Sequence, residues 1–128
     1  MNYFYKIVAA TTLGLCSQIA SAAPSALVTH NLSEVESNAY IDGTKKSPYP
    51  TAAKTTNTLS WFLVRAACLP NFFHCHALIR METDTPTPVD LGWLDLDLSS
   101  GDINPKEIHN NGYTLTVNSP GEVTLTKD

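Results

Sequence analysis

Trp61 to Met81 reads WFLVRAACLPNFFHCHALIRM, and the fold turns on how its two halves pair. After Cys75 the apolar residues Ala77, Ile79 and Met81 alternate with polar His76, Arg80 and Glu82. That period of two marks a strand with one buried face. Before Cys68, the residues Phe62, Val64 and Ala66 share the parity of that cysteine. A hairpin would therefore set Cys68 opposite Cys75, Ala66 opposite Ala77 and Val64 opposite Ile79, all on one face. A competing pattern lies in the same residues. Leu59, Phe62, Leu63, Ala66 and Ala67 fit helical spacing, with Thr58 as cap and Pro70 as stop, which gives an α+β alternative with a helix over 58–68. The downstream alternation needs a partner strand and favours the hairpin.

The start of the chain bears on the cysteines. Lys6 precedes an apolar stretch from Ile7 to Cys16, and Ala20-Ser21-Ala22 supplies small residues for a peptidase. This is the plan of a signal peptide over residues 1–22, cut between Ala22 and Ala23. The apolar run is about half of the roughly 20 residues that a membrane span needs. Leu15, not a small residue, precedes Cys16, which argues against a lipid anchor. Cleavage would remove Cys16 and leave Cys68 and Cys75 to form a disulfide in an oxidising compartment, the periplasm or the cell exterior. A ring this short contributes about 2 to 2.5 kcal/mol by chain entropy.

Residues 23–128 have the length of one domain. Losing Lys6 takes the formal charge from −4 to −5, and only Lys45 and Lys46 are adjacent cations. Nucleic acid and anionic surfaces are poor partners for such a chain. Leu27 to Ile41 reads as one or two strands, and the Pro-, Thr- and Lys-rich stretch 42–58 as a surface loop. Pro86 and Pro88 mark a second break. Leu94, Leu96 and Leu98 alternate with Asp95 and Asp97, and Tyr113, Leu115 and Val117 alternate with Thr114 and Thr116. Between them Ser99–Asp102 makes a turn, Asn104–Glu107 opens one helical turn, and Asn111-Gly112 reverses the chain. Ser119-Pro120-Gly121-Glu122 fits a type II turn before Val123 and Leu125. The whole is a mainly β domain, a small antiparallel sandwich or rolled sheet closed by one disulfide.

Several stretches together resemble a group of short exported proteins of unknown function from Gram-negative bacteria. They are Ser37-Asn38-Ala39, Ser47-Pro48-Tyr49-Pro50-Thr51, Arg65 with Cys68, Leu98-Ser99-Ser100-Gly101-Asp102-Ile103, and Gly112-Tyr113-Thr114-Leu115-Thr116-Val117-Asn118. The resemblance implies secretion and a role at the host or envelope interface. It transfers no site residues.

Three constellations carry chemistry. In a strand, His74 and His76 point to one side, where two imidazoles suit copper or zinc with a third ligand from elsewhere. Structural zinc takes four ligands, and only His30 and His109 remain as further histidines. Asp95, Asp97, Ser99 and Asp102 lack the spacing of a calcium loop, whose sixth and twelfth positions here are Ser100 and Lys106. No Gly-x-Ser-x-Gly elbow occurs, so no catalytic residue is assigned. The third is the ring itself, which holds Leu69, Phe72, Phe73 and His74. A covalently closed aromatic loop loses little entropy on docking and serves as an anchor for a partner. Against this, Phe72 and Phe73 would fold back over the core, since a small domain needs its large side chains. The expectation is an exported binding protein that contacts a protein partner through the Cys68–Cys75 loop and needs no cofactor. A periplasmic metal-binding protein using His74 and His76, and a small secreted hydrolase, are the alternatives.

Overall fold

The structure, a computed structural model, describes residues 22–128. The signal-peptide expectation therefore lies outside the described residues apart from Ala22. Ten strands and one helix follow in order: β1 Ala26–Asn31, β2 Ser37–Ile41, β3 Lys45–Lys46, β4 Thr55–Ser60, α1 Trp61–Cys68, β5 His74–Met81, β6 Val89–Asp97, β7 Ile103–Asn104, β8 Glu107–Asn110, β9 Tyr113–Ser119 and β10 Glu122–Lys127. They make two five-stranded sheets, β4-β1-β10-β9-β8 and β3-β2-β5-β6-β7. Pairing is antiparallel except between β1 and β10, which run parallel. The mainly β sandwich read from the alternation is what the chain forms.

The 59–82 stretch resolves differently from the favoured hairpin. Residues 61–68 are helical, and β5 pairs with β2 and β6 instead, so that Ala77 faces Ile41 on one side and Leu94 on the other. The helix wins because its buried residues, Trp61, Val64 and Cys68, fall at i, i+3 and i+7, one stripe of a 3.6-residue period. Ser60 caps it, its hydroxyl accepting from the Leu63 amide at 3.4 Å, and Leu69-Pro70 ends it. The cap lies two residues beyond Thr58. Residues 55–58, the end of the expected loop, instead belong to β4, which pairs along the whole of β1. No helical turn opens at Asn104; Glu107–Asn110 is a strand paired to β9 across the Asn111-Gly112 turn.

Two buried clusters lie between the sheets and under the helix. Met81, Leu91, Leu94, Ile103, Tyr113, Leu115, Val123 and Leu125 form the larger, where β6 and β9–β10 face each other. Ile41, Trp61, Val64, Cys68, Cys75 and Leu98 form the second, under α1. The buried Tyr113 hydroxyl donates to Glu82 Oε2 at 2.9 Å and so remains satisfied. Pro24 fits against the turns at Gly101 and Gly121, where an added Cβ would lie 2.5 and 2.8 Å from its ring. Gly121 also has φ +72°, the positive value that the third position of a type II turn requires.

Candidate functional site

Cys68 ends α1 and Cys75 is the second residue of β5; their bridge joins the two elements across a Cα separation of 5.7 Å. Both cysteines are buried in the second cluster, so the ring is rooted in the core while residues 69–74 project from it. Its base is tied by a single backbone position. Leu98 O accepts from Trp61 Nε1 and from Arg65 Nη2, each at 2.9 Å, and Leu98 N donates to Phe73 O at 2.8 Å. Asn71 N donates to Cys68 O at 2.9 Å, and Lys45 Nζ donates to Leu69 O at 3.0 Å. The loop is thus held from β3, from α1 and from the chain after β6.

The ring's large side chains do not fold back over the core. Leu69 is 47% exposed, Phe72 67% and Phe73 75%, and Phe62 on α1 adds a further aromatic at 76%. Leu69, Phe72, Phe73 and His74 lie between the two bridged cysteines, Leu69, Phe72 and Phe73 exposed and His74 already the first residue of β5. Phe62 is the residue that strand parity hides: in a hairpin it shares the inner face of Cys68. In helical register it falls outside the Trp61–Val64–Cys68 stripe, and that offset is the signal which finds it.

His74 and His76 turn to the same carboxylate on the neighbouring strand. His74 Nδ1 lies 3.1 Å from Asp95 Oδ2, and His76 Nε2 lies 3.0 Å from Asp95 Oδ1. The second contact is close in distance but makes no hydrogen bond, which leaves Oδ1 unsatisfied. His76 and Asp95 are direct cross-strand partners, as are His74 and Asp97, so β5–β6 register accounts for the cluster. Asp97 is held below the usual carboxylate range by donation from the Ser99 hydroxyl and by the Ser99 and Ser100 amides. Asp102 is lowered similarly by Lys106 and Asn104. The Asp95–Asp102 run, which the sequence offers as an oxygen-rich loop, thus directs two of its carboxylates at its own turns. Among the described residues, no group of three or more His, Cys, Asp or Glu side chains is placed to hold a metal ion. No helix among them is long and apolar enough to cross a membrane.

These features define a small disulfide-stapled β-sandwich whose candidate site is a rigid apolar loop. A family model described as the type II secretion system substrate NttC matches residues 1–128. The crystal structure of the Legionella pneumophila type II secretion system substrate NttC is similar at a TM-score of 0.81 and 49% identity, covering 83% of this chain and 100% of that one. A search of curated proteins found no match. The chain belongs to the NttC family of type II secretion substrates. It is accordingly an exported protein that passes through the periplasm to the extracellular space.

Proposed function

We propose that the protein is an extracellular binding protein that acts by surface contact, with Leu69, Phe72, Phe73 and His74 as its contact patch and Phe62 at the patch edge. The observation that carries this reading is the exposure of three phenylalanines on a helix and a loop that are locked together. A contiguous exposed apolar patch, unlike a single exposed side chain, marks a surface that becomes covered. Aromatic side chains also dominate binding energy where they fill a partner's pocket, at about 2 kcal/mol or more each. An exported destination supports a partner outside the producing cell. In the same proposal, residues 1–22 are the signal peptide that takes the chain there, leaving residues 23–128 as the working domain. The metal-binding and hydrolase alternatives gain no support from the family match.

The test is capture by the immobilised 23–128 domain from envelope and host-cell extracts, repeated with Phe72→Ser/Phe73→Ser. Loss of two anchors weakens a specific partner by roughly a thousandfold, from about 2 kcal/mol each. The variant keeps its thermal midpoint, because neither ring is buried. Equal capture by the wild type and the variant rejects the loop as the patch.

A further inference from the structure

A second feature lies inside the sandwich, independent of the loop. Along β5 the inward side chains are Cys75, Ala77, Ile79 and Met81. The outer two are buried, yet Ala77 and Ile79 between them remain partly exposed. Neighbouring β2 repeats this: Ser37 and Ile41 are buried, while Ala39 between them is not. Ala39 pairs with Ile79 and Ile41 with Ala77, so the exposed positions are adjacent. On the opposite sheet Leu27, Thr29 and Leu59 are likewise only partly buried. The two sheets therefore leave a gap in the middle of the interior. All of these residues but Met81 line a hollow of about 120 Å³, whose wall also includes Val64 and Ala67 of α1 and Tyr49.

The walls of the hollow carry no charged side chain, and its polar residues, Ser47 and Asn57 among them, are uncharged. Ile41, Ser47, Tyr49 and Ala67 are shared with an adjoining outer pocket of about 250 Å³ that also includes Lys45 and Lys46. Lys45 reaches the Leu69 carbonyl, and Lys46 has no ion pair among the described residues. In a chain of net charge −4, Lys45, whose cross-strand partner Ile41 lines both pockets, thus stands beside the residues that the two pockets share.

We infer that this hollow is a binding site for a free medium-chain fatty acid, its tail between the sheets and its carboxylate at Lys45. The size limits the tail. A cavity of about 150 Å³ lined by aliphatic side chains accepts one benzene ring, so the inner hollow takes roughly the last four or five carbons. The outer pocket takes the remainder and the head. Every methylene buried in the hollow or in the outer pocket strengthens binding about fourfold, equivalent to about 0.8 kcal/mol. Once both are full the gain stops.

Calorimetric titration of the 23–128 domain with hexanoate, octanoate, decanoate, dodecanoate and palmitate, each below its micelle concentration, tests the site. The expected result is an affinity that rises by roughly fourfold per carbon and then levels off. Ala77→Leu, which fills the hollow, should weaken decanoate at least tenfold, and Ala39→Leu serves the same purpose if the first variant does not fold. Lys45→Ala should weaken decanoate about fivefold and leave decanol unchanged. Absence of decanoate binding, a rise with no plateau, or equal binding by the wild type and a folded filled variant overturns the inference. Sedimentation with phosphatidylglycerol vesicles separates the other source of the same chemistry: binding to vesicles without binding to free decanoate also overturns it.

Discussion

Removing the Cys68–Cys75 bridge should lower the thermal midpoint by more than ten degrees. The bridged residues are seven apart in sequence. Closing a ring of this size removes about 2.5 kcal/mol of unfolded-state entropy at room temperature. Unfolding entropy near 2.1 cal/mol/K per residue, over residues 23–128, is about 0.22 kcal/mol/K. The ring alone therefore amounts to about 11 °C. Cys68→Ala/Cys75→Ala also deletes two sulfurs that are each 1% exposed in the second cluster, adding about 1 kcal/mol of lost packing and bringing the total to about 15 °C. Circular dichroism melts of the oxidised domain, of the domain unfolded, reduced and refolded, and of the double variant distinguish the two contributions. The reduced wild type should lose about 11 °C and the variant a few degrees more. A loss below about 4 °C in both would refute the idea that the ring braces α1 against β5.

Two further outcomes follow from the turns. Gly121→Ala places a Cβ 2.8 Å from Pro24 Cγ and 2.9 Å from Ala26 O, whereas at Gly112 the nearest neighbour is Lys127 Nζ at 3.5 Å. Both positions have positive φ, so Gly112→Ala should cost about 1 kcal/mol from the backbone alone, and Gly121→Ala at least about 1 kcal/mol more in urea unfolding. Equal losses would mean that Pro24 does not press on that turn. Glu122 is held below the usual carboxylate range by His30, as Asp97 is by Ser99 and Asp102 by Lys106. Carboxyls depressed in the folded state contribute fully above their unfolded pKa, and the contribution is lost as pH falls through the folded value. The thermal midpoint should hold at neutral pH and fall on acidification below about 4, less steeply in Asp97→Asn; a flat profile down to pH 2 would contradict this.

The strands that were legible in the sequence are those with one wet face. Leu94, Leu96 and Leu98 against Asp95 and Asp97, and Tyr113, Leu115 and Val117 against Thr114 and Thr116, alternate because only one side of each sheet meets the core. β4 was not legible: Thr55, Thr56, Asn57 and Thr58 carry a single aliphatic neighbour, Leu59, because the inner side of this edge strand faces the hollow. Residues 61–68 satisfy both periods, since Val64, Ala66 and Cys68 alternate while Trp61, Val64 and Cys68 make a helical stripe. Tertiary contacts with Ile41 and Leu98 decide between them, and those partners are distant in sequence. The loop residues were legible by closure between two cysteines. Their exposure was not, because burial of Phe72 and Phe73 depends on whether the sandwich offers them a groove. The shared use of Asp95 by His74 and His76 depends on β5–β6 register, which alternation alone does not number.

The account rests on export producing a cleaved, oxidised chain. Intact-mass analysis of the protein recovered from culture supernatant, before and after reduction, measures this directly. A species beginning at Ala23 that gains two hydrogens on reduction is the predicted result. A full-length chain retained in the cell, with Cys68 and Cys75 both open to alkylation, would contradict it.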